Sequence, residues 1–134
     1  MMTIKITAFV LGISIFTCVQ AQPVLSPDEI GVKMAKCSGI FAEMLAVGTV
    51  LKLPQASLDG YMTGVKATSG IAKALIGQDR MVQYAAAEQA KTTQAARAGI
   101  PAMQVGEGLV PQVNDCSAYY KSHEAQIIKL VNNK

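Results

Sequence analysis

Apolar residues recur at helical spacing near both ends of the chain, and this periodicity is the strongest constraint on the fold. Near the start, intervals of four and three residues join Ile30, Met34, Cys37, Phe41 and Met44. Near the end, the same intervals join Val113, Cys116, Tyr120, His123, Ile127 and Leu130. No alternation of apolar and polar residues reaches a useful strand length. Each stripe therefore predicts a helix that buries one face.

Capping residues mark the start of the first helix. In the segment Ser26-Pro27-Asp28-Glu29, the serine can cap the helix and the proline suits its first position. Glu29 stands where it completes a capping box. The first helix is expected to fade near Gly48.

A second helix is predicted from about Ser57 to Ile76, started by Ser57 or Gln55 after Pro54. Its expected inward face consists of Leu58, Met62, Val65, Ser69, Ala72 and Ile76. Three glycines weaken this helix, each by roughly 1 kcal/mol relative to alanine. They are expected to let a neighbouring helix approach closely, and they are Gly60, Gly64 and Gly70.

The rest of the chain continues as helices separated by glycine and proline. Asp79 is expected to cap an alanine-rich third helix, which Gly99 and Pro101 end. A short helix or turn is expected over residues 102–109, and a last helix begins near Pro111. Because short connections favour antiparallel neighbours, the predicted fold is all-α, a small antiparallel bundle of four to five helices.

The first residues have the features of a cleaved signal peptide. Lys5 gives a positive start, residues 6–16 form an apolar run too short to span a membrane, and Val-Gln-Ala at 19–21 is a plausible cleavage site. We therefore expect residues 1–21 to be removed and residues 22–134 to form a single helical domain. The style of the signal predicts a bacterial protein that is periplasmic or secreted.

The three cysteines carry different expectations. Cys37 and Cys116 remain after the predicted cleavage, and an exported chain with two cysteines most simply pairs them. This bridge would join the first helix to the last and stabilise the fold by about 4 kcal/mol. Two buried free thiols are the alternative. If the signal were instead cut before Cys18, acyl chains on that residue would anchor the protein in a membrane.

The charge pattern argues against nucleic acid as a partner. The formal net charge is +3 and the lysines are scattered. The two arginines, Arg80 and Arg97, stand apart, so no phosphate-binding patch is expected. No second apolar run suggests a membrane span. Another protein is the expected partner.

The sequence offers no recognisable catalytic or metal site. His123 is the single histidine, and zinc needs three or four protein ligands. Its neighbours Ser122 and Glu124 do not face it, because adjacent helical residues point apart. Negative charge is favoured at helix starts, and this explains the carboxylates of Asp28, Glu29, Asp79 and Asp115. We therefore predict no catalytic residue, no metal and no enzymatic activity.

His123, Tyr120 and Met34 are the residues best suited to a ligand, since haem in a helical bundle can use one histidine and one methionine. The segment AAAEQAKTT, residues 85–93, also resembles a piece of the periplasmic b-type four-helix cytochromes. That resemblance implies a haem whose histidine ligand follows in the same helix. Here QAARAG follows instead, so we expect no cofactor.

These features predict an exported, non-enzymatic protein that binds another protein or supports the cell envelope. Two alternatives stay open. One is a periplasmic stress chaperone that exposes apolar helix faces, similar in general plan to small disulfide-stapled acid-stress chaperones. The other is a helical-bundle carrier of a small ligand such as haem.

Overall fold

The computed structural model describes residues 23–134, which form four helices and no strand. The first, α1, spans Pro27–Val50, and α2 spans Gln55–Ile76. They are followed by α3 at Gln78–Arg97 and α4 at Ala102–Asn132. The predicted all-α bundle is confirmed. The predicted signal peptide, its cleavage site and Cys18 lie outside the described residues.

α1 is the central helix and packs against each of the other three. Gly31, near the start of α1, lies against Ile76 at the end of α2. Gly48, near the end of α1, lies against Leu58 near the start of α2, so these two helices are antiparallel. The contacts of α3 and α4 with α1 show that α3 runs parallel to α1 and α4 antiparallel to it. Each helix is therefore antiparallel to the one before it.

The predicted features of α1 are confirmed. The Ser26 hydroxyl accepts a hydrogen bond from the Glu29 N–H, and the Glu29 carboxylate accepts one from the Ser26 N–H, which completes the capping box. All members of its predicted stripe are buried. α1 also buries residues on its other faces, among them Gly39 and Glu43, because three helices surround it.

One of the three glycines of α2 makes the close approach that was predicted. A Cβ atom at Gly64 would lie 2.7 Å from the Phe41 ring of α1. The prediction is wrong for Gly60 and Gly70, where a Cβ would meet nothing within 4 Å. A second close approach was not foreseen: a Cβ at Gly39 of α1 would lie 2.5 Å from the carbonyl oxygen of Ala85 in α3.

The inward face of α2 is rotated from the predicted one. Met62 was expected inside but is 40% exposed, whereas Thr68 and Leu75 are buried. Ala72 is buried as predicted. The buried residues lie on the same side of α2 as Gly64, where the Phe41 ring of α1 packs against the helix.

The start of α3 also differs from the prediction. Gly77 alone separates α2 from α3, and its φ of 85° belongs to the left-handed region that glycine adopts without strain. Asp79 was expected to cap α3, but the cap position belongs to Gly77 and Asp79 lies in the first turn. There its negative charge still suits the positive end of the helix dipole.

The predicted break before Pro111 is wrong. Residues 102–109 do not form a separate short helix, and α4 runs unbroken through the proline. Proline removes a backbone hydrogen bond and costs about 3 kcal/mol inside a helix. Packing on both sides offsets that cost, since Gly106 and Leu109 before the proline and Cys116 after it are all buried.

The predicted disulfide is present between Cys37 of α1 and Cys116 of α4. Their Cα atoms are 5.7 Å apart, and both residues are buried. The bridge joins residues separated by 79 positions and holds α4 against the central helix. Within residues 23–134, every helix is too short or too polar to cross a membrane.

Candidate functional site

A cleft separates α3 from α4, and α1 forms its floor. Its first cavity has a volume of about 240 Å³ and is lined by Glu43 of α1, Thr92 of α3 and Val105 of α4, among others. A second cavity of about 290 Å³ shares Thr92, Val105 and Ile100 with the first. We call these two neighbouring cavities together the α3–α4 cleft.

The cleft is open because α3 presents small side chains to it. α3 and α4 contact each other less than any other pair of helices in the described part of the chain. The α3 side chains at Ala95 and Ala96 line the cleft and are too short to fill it. Gly108 of α4 lines it as well, and a Cβ there would meet nothing within 4 Å.

Glu43 is the unusual residue of the cleft, because it is a carboxylate on the buried face of a central helix. It is only 6% exposed. The Thr92 hydroxyl donates a hydrogen bond to its Oε2 atom. Its Oε1 atom is buried and has no hydrogen-bond partner within the described structure. Leaving a buried acceptor unpaired costs about 1–3 kcal/mol, so this atom calls for an explanation.

The surroundings of Glu43 raise its pKa above the ordinary value. Burial is the largest cause that raises its pKa, and the nearby carboxylate of Glu88 raises it further. The hydrogen bond from Thr92 and the charge of Lys91 act in the opposite direction but do not cancel the increase. Lys91 is itself held by Glu88 at 2.8 Å, and this hydrogen bond raises the pKa of the lysine.

The residues predicted to bind a ligand lie elsewhere. Met34 is fully buried in α1. His123 lies in α4, where its Nδ1 atom is 2.9 Å from the carbonyl oxygen of Tyr119 and its ring packs 4.3 Å from the Tyr119 ring. Tyr120 lines a separate cavity of about 230 Å³ between α2 and α4, and neither Met34 nor His123 lines that cavity. Their role as ligand-binding residues stays a prediction.

The acidic residues of the chain do not gather into a metal site. Across residues 23–134, no group of three or more histidine, cysteine, aspartate or glutamate residues is arranged to hold a metal ion. Asp28 is paired with Arg80 and Asp115 with Lys33, both at the protein surface. The hydrogen bond from Arg80 lowers the pKa of Asp28.

Sequence reasoning missed Glu43, although a signal for it exists. Ile40 and Val47 lie three residues before and four residues after it, and both are buried. A carboxylate between two buried apolar residues at helical spacing is itself a sign of a buried charge. The rest of the cleft had no such signal, because Thr92 and Gly108 come from different helices.

Comparison of this chain with protein-family models, with curated proteins and with solved structures gives no significant match. The function must therefore be inferred from the cleft itself. Its walls combine apolar side chains with Thr92, Gln104 and Gln112. They also contain one buried carboxylate with an unpaired acceptor atom and a neighbouring Glu88–Lys91 pair.

Proposed function

We propose that this chain is an exported, non-enzymatic binding protein and that the α3–α4 cleft is its binding site. The observation that carries the proposal is the unpaired Oε1 atom of Glu43 in the wall of an apolar cleft. A cleft with mostly apolar walls and few polar groups is the usual form of a small-molecule site. Among the functions considered from sequence, this observation favours the carrier.

The proposal of export is supported by the disulfide. The bridge between Cys37 and Cys116 is typical of proteins that fold in an oxidising compartment such as the bacterial periplasm. A periplasmic or secreted location also agrees with the predicted signal peptide. A lipid anchor at Cys18 remains the alternative for the N-terminal segment, and the mass of the processed chain distinguishes the two.

A neutral apolar probe tests the binding site. We would titrate octanol into the full chain, expressed with its own N-terminal segment, and follow methyl resonances by NMR. Saturable shifts are expected at Ile100 and Val105, which line the cleft. Val82 and Ile128 are also exposed but do not line it, so their resonances should not move.

A pair of glycine substitutions provides the matched control. Gly108→Leu places a side chain in the cleft, and Gly70→Leu places the same side chain in open space on α2. The first variant should abolish the shifts caused by octanol, and the second should retain them. If octanol causes no saturable shift at Ile100 or Val105 in the unmodified chain, the cleft is not a binding site.

A second candidate function is a chaperone that binds apolar clients, and exposed residues favour it. Val50 is 70% exposed at the end of α1 and lines the cleft beside Ile100. Binding of an apolar dye measured against pH tests this function. An increase in dye binding on acidification would support the chaperone, and an unchanged signal would contradict it.

A further inference from the structure

We infer that the ligand of the α3–α4 cleft is a primary amine that carries an apolar chain, with its ammonium group bound by the carboxylate of Glu43. This inference rests on the proposed function, because it names the chemical class of ligand for the same cleft. Three properties of the cleft lead to it: an unfilled acceptor, an excess of negative charge and an uncharged apolar extension.

The acceptor selects a hydrogen-bond donor. The Oε2 atom of Glu43 already accepts from Thr92, and its Oε1 atom has no partner. A ligand that supplies an N–H or O–H group there would satisfy the remaining acceptor. An ammonium group provides three donors and a positive charge, and hydrogen bonds between charged groups are about twice as strong as those between neutral groups.

Counted over its own lining, the first cavity favours a cation, whereas an adjoining cavity that shares Glu88 and Lys91 also has Lys33, Lys36 and Asp115 in its wall. Its charged lining residues are Glu43, Glu88 and Lys91, so one negative charge is in excess when Glu43 is ionised. Lys91 does not supply the missing donor, because its ammonium group is bound to Glu88. A ligand cation would neutralise the excess, whereas a ligand carboxylate would be repelled by both glutamates.

The second cavity provides the place for an apolar chain. Its walls consist of alanine, valine and isoleucine side chains together with Thr92, and none of its lining residues is charged. It shares Thr92, the residue that donates to Glu43, with the first cavity. An apolar chain in the second cavity would leave water while the head of the same molecule reaches Glu43.

A ligand would have to reach Glu43 between α3 and α4. The Oε1 atom is closed to solvent, so a donor can reach it only if the walls part slightly. α3 and α4 have few contacts with each other, and Gly108 presents no side chain at the cleft. Parting these walls breaks fewer contacts than separating either helix from α1.

Three probes with the same chain and different heads test the inference: octylamine, octanol and octanoate. Each is titrated into the full chain at neutral pH, and the methyl resonance of Ile100 reports binding. Octylamine is expected to bind about tenfold more tightly than octanol, because a hydrogen bond to a charged group contributes more than one between neutral groups. Octanoate is expected to bind more weakly than octanol.

The substitution Glu43→Gln isolates the carboxylate. It keeps the size of the side chain and removes its charge, so octylamine should lose its preference and bind about as octanol does. Glu107→Gln removes one charge from an exposed position of α4 outside the cleft and should leave the preference unchanged.

The outcomes separate the two proposals. If octanol and octylamine both shift Ile100 with equal affinity, the cleft binds ligands but the amine inference is wrong. A preference for octylamine that persists in Glu43→Gln would also overturn it. If no probe shifts Ile100, the proposed function itself fails. A preference that disappears in Glu43→Gln and persists in Glu107→Gln supports the inference.

Discussion

α1 and α3 are helices of similar length with 24 and 20 residues, but they are buried to very different extents. More than half of α1 is buried, including glycines and one glutamate. In α3 the single buried residue is Met81. α3 is rich in alanine, the residue with the highest helix propensity, so it needs little burial to stay helical. α1 owes its burial to its central place among the other helices.

The comparison also explains the cleft. Each outer helix packs mainly on α1, and the outer helices contact one another far less. α3 and α4 have the fewest contacts with each other, and the small side chains between them do not fill the space. The small side chains of α3 therefore leave a cleft between α3 and α4.

The largest expected effect is the loss of the bridge from α1 to α4. Replacing both cysteines, Cys37→Ala with Cys116→Ala, should lower the free energy of unfolding by about 4 kcal/mol, because the unfolded chain is no longer constrained. Urea unfolding followed by circular dichroism measures the change. Reducing the unmodified chain with a thiol should act in the same direction. A loss below about 1 kcal/mol would mean that α4 is held by packing alone.

The contrast in burial predicts the next effect. Met34→Ala in α1 removes a fully buried side chain and should cost about 2–5 kcal/mol. Val82→Ala in α3 removes a side chain that is 49% exposed and should change stability by less than about 0.5 kcal/mol. The same urea titration measures both variants. Similar losses would contradict the view that α1 carries the core.

The contact between the two helices can be tested at Gly39. In Gly39→Ala, the added Cβ would lie 2.5 Å from the carbonyl oxygen of Ala85, and the backbone of α3 would have to move. We expect a loss of about 1–3 kcal/mol. Gly70→Ala is the control, because its Cβ meets nothing within 4 Å and the better helix propensity should add up to about 1 kcal/mol. Stabilisation by both substitutions would show that α3 shifts without cost.

The smallest expected effect concerns how the free energy of unfolding depends on pH. It involves Glu43, which also lies where α1 packs on α3. Burial raises the pKa of Glu43 above its ordinary value of 4.5. Between that value and the raised pKa the folded state binds more protons than the unfolded state, so the free energy of unfolding falls as pH rises through this window. Glu43→Gln should remove this slope. Glu107→Gln should keep it, and a slope that survives in Glu43→Gln would have to come from another group.

The sequence predicted the parts of the fold that local chemistry controls. The capping box at Ser26 and Glu29 depends on residues three positions apart and formed as predicted. The stripe of α1 follows from its helical period. The break at Pro111 was predicted from the same local reasoning and was wrong, because tertiary contacts of Leu109 and Cys116 outweigh the cost of the proline.

The candidate site was much less predictable. Glu43 carried a signal, since it lies between Ile40 and Val47 on a buried face. Thr92, which donates to it, carried none, because the residues are 49 positions apart and meet only when α3 packs on α1. Met34 and His123 were suggested by their side-chain types, since a methionine and a histidine can bind haem, but the Oε1 atom that lacks a partner belongs to Glu43.

By itself, the sequence determined that the chain is helical, where the first helix begins and that its two later cysteines could pair. These properties depend on the residues near each position and on the number of cysteines. Only the tertiary structure decided that α1 would be the central helix, that α4 would continue through Pro111 and that Glu43 would be buried beside an open cleft. Each of these depends on which helices meet, and helical periodicity identifies an apolar face but not the helix that will cover it.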